Sequence, residues 1–172
     1  MTDTLRVAIR PARESDLAIA EEIEAEADAL FIELFGATDW PPPASASERT
    51  ALPGFVLVAE GVETPHDVVG FAHVLEIDGQ AHLEQLSVLP QHGRRGYGRM
   101  LVAAAKAEAQ RRGYRSITLR TYRDVAWNGP FYATCGFHES VPSTPFLHRL
   151  VEVESRLDLN RYGPRVQMTA VA

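Results

Sequence analysis

The chain has 172 residues, 45% hydrophobic and 23% charged, which suits one globular domain and excludes a disordered or fibrous chain or two independent cores. Seventeen basic against twenty-three acidic side chains give a formal net charge of −6, arguing against nucleic-acid binding and favouring small cationic partners. The single cysteine, Cys135, can form neither an internal disulfide nor a cysteine-rich zinc site. With no apolar run near ~20 residues and no signal-peptide core, the expectation is a cytoplasmic monomer or homodimer that makes no membrane contact.

In chain order, Leu5 to Arg10 alternates apolar and polar residues and predicts a first strand. A helix follows from Asp16 to about Phe35, with Ser15 as its N-cap and Gly36 as its stop. Thr38 to Ser47 holds three consecutive prolines and reads as a loop carrying Trp40. Phe55 to Ala59 is a short strand. Val68 to Ile77 and Ala81 to Val88 are two more, joined by Asp78-Gly79, a strong hairpin signal. Helical period runs from Gly98 to about Arg112 and ends at Gly113. Ser116 to Thr121 is a strand, Asn128 to Cys135 a short helix, and Phe137 opens another extended stretch. Leu147 to Leu159 reads as helix and Val166 to Val171 as a closing strand. The whole is one α/β domain over residues 1–172, without repeat or linker.

If Asp78 and Gly79 are the turn, outward counting places Leu75 opposite His82 and His73 opposite Glu84. His73, His82 and Glu84 then share a face with Phe71, Leu75, Leu86 and Val88. Two imidazoles and a carboxylate among apolar neighbours make an acid/base site if burial and pairing bring their pKa values toward neutrality. A structural His73–Glu84 ion pair is the plainer reading. A metal-ligand set is a third, though the spacing lacks the fixed geometry of a helical HExxH site.

After Val88, Pro90 stops the strand, and Gly93-Arg-Arg-Gly-Tyr-Gly98 leads into a helix. Glycines allow close backbone approach, and main-chain N–H groups at a helix start bind anionic oxygens. Arg94, Arg95 and Arg99 add charge, so a pyrophosphate is the natural occupant, and solvated arginines on an ordinary turn are the alternative. The loop is neither a P-loop, since no Gly-Lys-Ser/Thr follows, nor a GxGxxG dinucleotide fingerprint, which it reverses.

Strand, V-x-P, glycine/arginine loop and helix, then a strand and Asn128-Gly-Pro-Phe-Tyr-Ala-Thr-Cys-Gly-Phe137, resemble the GNAT superfamily of N-acetyltransferases. The likeness covers roughly residues 68–138. The family's loop reads Q/R-x-x-G-x-G/A, and Gly93 departs at its first position. The resemblance implies a central, mostly antiparallel sheet that splays where acetyl-CoA enters, with no metal required. It implies that amides from Arg94 through Arg95, Gly96, Tyr97 and Gly98 to Arg99 hold the pyrophosphate, that Val88 pairs with the pantetheine arm, and that Asn128 contacts the coenzyme. It also implies that Tyr132 protonates the departing thiolate. Glu84, with His82 as the second choice, would deprotonate a small-molecule amine that attacks directly within a ternary complex. The alternative function is a catalytically inactive coenzyme-A sensor.

Cys135 reads as a buried apolar residue and Ser87 as a strand residue without triad partners. Trp40 and Trp127 fit either a core or an acceptor pocket, and Arg120 and Arg123 either a 3′-phosphate or solvent.

Overall fold

A computed structural model describes residues 6–172, so Leu5 lies outside the described residues. The elements run β1 (Val7–Pro11), α1 (Asp16–Phe35), α2 (Ala46–Thr50), β2 (Gly54–Gly61), β3 (Val68–Ile77), β4 (Gln80–Val88), α3 (Tyr97–Arg111), β5 (Ser116–Tyr122), α4 (Gly129–Thr134), β6 (His138–Ser140), α5 (Pro145–Arg156) and β7 (Arg165–Val171). Short 3-10 turns occupy Pro90–His92 and Leu159–Tyr162. Seven strands form one sheet in the order β1-β2-β3-β4-β5-β7-β6. Pairs β1–β2, β5–β7 and β6–β7 are antiparallel, and β4–β5 is parallel. This is the mixed α/β class expected.

Two helix starts differ from expectation. Ser15 makes no cap bond because its backbone is already helical (φ −63°, ψ −23°), whereas an N-cap needs extended geometry. The Asp16 carboxylate bonds backwards instead, accepting from the Arg13 N–H at 2.6 Å while the Arg10 guanidinium donates to it at 2.6 and 3.2 Å, which ties down the chain that enters the helix. Helix α2 lies where only a loop was expected. Its signal was Ser45-x-x-Glu48, a reciprocal capping box in which the Ser45 hydroxyl accepts from the Glu48 N–H and the Glu48 carboxylate from the Ser45 N–H. The C-terminal helical stretch is split, α5 ending at Arg156 before the 3-10 turn.

The chain packs as two compact units, one of residues 1–74 and 85–105, the other of residues 75–84 and 106–172. In the first, α1 lays Ala20 and Ile23 against Val58, Val68 and Phe71. The same helix also buries Glu24 and Asp28. In the second, α5 packs Phe146 and Leu147 on Leu75, and its first turn is anchored by the Phe146 N–H donating to Asp78 Oδ2 at 2.9 Å. Asp78 and Gly79 both have positive φ (54° and 70°), so the turn is the tight two-residue type expected.

Candidate active site

The loop after β4 is built as an anion nest. Gly93 is extended, Arg94 is left-handed at φ 60°, and Gly96 is left-handed at φ 84°. An arginine in that region is strained by roughly 1–2 kcal/mol, and such a turn before a helix is how successive N–H groups come to face one side. The Met100 N–H bonds to the Gly96 carbonyl, so Tyr97, Gly98 and Arg99 form the first turn of α3. The Tyr97 side chain is buried and packs 6.5 Å from His92. Arg94, Arg95 and Arg99 are exposed, and Val88 is half-buried at the end of β4.

The hairpin carries the titratable groups, but not at neutral pKa values. His82 is 2% exposed, and its Nδ1 lies 2.9 Å from Thr118 Oγ1. Burial first, and then the Arg120 charge, hold its pKa down to about 3. His73 is likewise pulled to about 4, by burial and then Arg49. The ion pair expected for His73 is not formed: its Nδ1 is buried without a hydrogen-bond partner. Burial is the main reason neither sits near neutrality, and a cation next to each imidazole, invisible in the local sequence, adds to it.

Thr118 Oγ1 also lies 3.4 Å from the Ala81 carbonyl. Donating there leaves it to accept from His82 Nδ1–H, which places the imidazole lone pair on Nε2. That atom faces Glu84 Oε2 at 3.6 Å. Both atoms are acceptors, so the contact is electrostatic and not a hydrogen bond. Among the described residues no cluster of three or more His, Cys, Asp or Glu side chains is arranged to hold a metal ion.

Strand β4 pairs with β5 through Ala81–Ile117, His82–Thr118 and Leu83–Leu119. One step further along the face bearing His82 and Thr118 come Glu84 and Arg120. Arg120 donates from Nε to Glu154 Oε2 at 2.7 Å, so it serves α5 and not solvent. Arg123 is on the surface, paired with Glu139 at 2.7 Å.

Tyr132 sits on α4 with 9% exposure, edge-on to Phe131 and Phe137 at 5.2 and 5.8 Å. Burial raises its pKa above the ordinary value of 10, so the phenol is a proton donor and not a base at neutral pH. The start of α4 is held to β5 by Asn128, whose Oδ1 accepts from the Thr121 hydroxyl at 2.7 Å and from the Tyr122 N–H at 3.3 Å. That leaves only its Nδ2 donors for a coenzyme. Gly129 is obligatory, since a Cβ there would lie 2.3 Å from the Arg123 carbonyl oxygen. Helix α4 packs beside Val166 and Met168. In the β5–β7 ladder these residues face away from the side carrying Arg120 and Gln167. Trp40 stacks on Phe31 at 5.3 Å, and Trp127 is 41% exposed. Thr118, Glu154 and Gln167 carried no signal in sequence; their neighbours are set by pairing across long separations.

A profile of the acetyltransferase (GNAT) family matches residues 17–137. Among solved structures, the fold is similar to ribosomal-protein-S18-alanine N-acetyltransferase from Escherichia coli (TM-score 0.68, 19% identity, covering 96% of this chain and 94% of that one). It is also similar to the PaiA N-acetyltransferase of Thermoplasma acidophilum, solved with coenzyme A (TM-score 0.67, 16% identity, 98% and 100% covered). A GCN5-related N-acetyltransferase from Rhodopseudomonas palustris is similar over 100% and 99% of the chains, with TM-score 0.63 and 22% identity. No helix among the described residues is long and apolar enough to cross a membrane. With the family profile spanning most of the sheet and the loop that leads into α3, the chain belongs to the acetyltransferase (GNAT) family and is an acetyl-CoA-dependent acyltransferase.

Proposed function

We propose that the whole chain acts as one acetyltransferase domain, moving an acetyl group from acetyl-CoA to a primary amine within a ternary complex. The observation that carries this reading is the His82 Nε2 and Glu84 Oε2 pair, two acceptors 3.6 Å apart, at the last steps of β4 that belong with β5. An ammonium bridging them is oriented and gives up a proton to Glu84 or to water behind it; His82, with a pKa near 3, orients without retaining the proton. The freed amine attacks the thioester carbonyl, the C–N bond forms and the C–S bond breaks. The coenzyme leaves as a thiolate, which takes the proton of the Tyr132 phenol; solvent then restores it. Main-chain amides from Arg94 to Arg99 would hold the pyrophosphate, Val88 the pantetheine arm and Asn128 Nδ2 a further coenzyme oxygen.

Thiol release from acetyl-CoA, measured against a panel of amines, tests the reading. Turnover is expected with at least one amine, and Tyr132→Phe should lower kcat about 100-fold or more without weakening coenzyme binding. Coenzyme binding without thiol release for every amine would leave a sensor in place of an enzyme. Unchanged kcat in Tyr132→Phe would remove Tyr132 from the reaction.

A further inference from the structure

All but one of the seventeen basic side chains are arginine, and the exception is Lys106. It stands in the stretch of α3 that belongs to the second unit and is half-buried. Its Nζ donates to the Cys135 carbonyl at 3.3 Å and lies 5.8 Å from the centre of the Phe137 ring. Among the described residues it has no carboxylate partner, unlike Arg111, Arg112 and Arg123. Half-burying an ammonium costs hydration, and here a carbonyl and an aromatic face offset it.

What Lys106 holds is the end of α4. Six residues are too few for a helix to persist by itself, so α4 depends on whatever fixes its two ends. Its start is tied to β5 through Asn128. At its end Gly136, left-handed at φ 88°, closes a Schellman turn: the Phe137 N–H bonds back to the Tyr132 carbonyl at 3.1 Å and the Gly136 N–H to the Ala133 carbonyl at 3.2 Å. That turn does not use the Cys135 carbonyl, one of the last of the helix, and the Lys106 ammonium takes it where positive charge is favoured. The same Nζ lies 3.6 Å from where a Cβ on Gly136 would stand, a space that suits a compact ammonium better than a planar guanidinium. Tyr132 lies between the two ends, its carbonyl inside the Schellman turn and its ring edge-on to Phe137. We propose that Lys106 is a positioning residue for acetyl transfer: by gripping the Cys135 carbonyl and the Phe137 ring it fixes the roll of α4 and so aims the Tyr132 phenol. This rests on the reading of Tyr132 as the proton donor to the departing thiolate.

The test measures thiol release from acetyl-CoA, with the amine of the panel that turns over fastest, in Lys106→Met, Lys106→Gln and Lys106→Arg, each with and without Tyr132→Phe. Methionine and glutamine remove the ammonium and keep an unbranched stem, so either serves if the other folds poorly. Both are expected to lower kcat about 10-fold while the KM for acetyl-CoA stays within about 2-fold of native, and Lys106→Arg to recover part of the loss. Once Tyr132 is Phe, replacing Lys106 should cost nothing further, because no phenol is left to aim. Unchanged kcat in Lys106→Met and Lys106→Gln, or losses that multiply in the double variants, overturns the proposal. Tyr132→Phe by itself reports on the donor reading: a loss there without any loss at Lys106 discards Lys106 alone. A readout that needs no turnover is the Tyr132 ring signal in protein carrying ring-13C tyrosine, identified by its disappearance in Tyr132→Phe. It is expected to shift or broaden in Lys106→Met while the remaining tyrosine signals stay. An unmoved Tyr132 signal overturns the proposal; a moved one without thiol release for any amine keeps the grip on α4 and discards the transfer reading.

Discussion

Each unit of the protein buries a cluster of opposite charges, and the two clusters reach balance in different ways. In the first unit, α1 presents Glu24 and Asp28 one helical turn apart, and α2 sends Arg49 between them and Phe71. Arg49 pairs with Glu24, stacks 4.6 Å over the Phe71 ring and has only 1% of its side chain exposed. Two carboxylates face one guanidinium there, and the excess is removed by a proton: burial, then repulsion from Glu24, push Asp28 up to about 7 while the Trp40 side chain donates to it. In the second unit Arg120 and Arg165 share Glu154, and Glu84 stands beside Arg120 on the same face, so two guanidiniums meet two carboxylates and no proton is needed. A surplus of buried carboxylate is thus closed by titration, whereas a balanced cluster is closed by pairing alone.

The largest effect that would break this distinction is at Arg49. Removing it leaves Glu24 buried without a counter-charge, and Arg49→Met should cost about 3–5 kcal/mol in denaturant unfolding. A loss well under 1 kcal/mol would mean that the cluster is open to water.

Asp28 sharpens the comparison. Its folded pKa, about 7, lies above the ordinary 3.8, so the folded chain holds a proton that the unfolded chain releases. Its contribution is complete below pH 3.8 and is lost as pH rises toward 7. Asp28→Asn should therefore raise stability at pH 8 by about 1–3 kcal/mol and change little at pH 4. Equal gains at both pH values would show that Asp28 is ionised in the fold.

His73 and His82 act in the opposite sense. Their folded values, about 4 and about 3, lie below 6.5, so the unfolded chain binds protons first. Their stability is full above pH 6.5 and falls as pH drops, by up to about 1.4 kcal/mol per pH unit for each. The Asp28→Asn variant, freed of the opposing slope, should lose stability more steeply between pH 6.5 and 4 than the native chain. The smallest effect expected is on the fold of Arg120→Gln, which should lose about 1 kcal/mol or less because Glu154 keeps both bonds from Arg165. A larger loss would make Arg120 a structural residue like Arg49.

Much of the architecture could be read along the chain wherever a signal acts through neighbouring backbone. Asp78-Gly79 set the hairpin because both residues adopt positive φ, and Gly36 and Gly113 ended their helices in the same way. The turn between Gly93 and Gly98 takes left-handed backbone at Gly96 for that reason too. Where a rule of thumb met the actual backbone it failed. Ser15 is no cap because its own backbone is already helical, and α2 was overlooked behind three prolines although its Ser45–Glu48 box was legible.

What tertiary structure alone decided is the charge state and company of those residues. His82 was legible as a candidate from hairpin parity, yet its low pKa comes from burial and then from Arg120, and its orientation from Thr118, 36 positions away. The juxtaposition of Arg120 with Glu154, Arg165 and Gln167 depends on the β5–β7 register and on where α5 docks. Local conformation is governed by sterics and hydrogen bonds within a few residues, so sequence determines it directly. Burial and electrostatics are sums over everything folding brings near, and so only the folded chain could say which carboxyl holds its proton and which imidazoles are kept neutral.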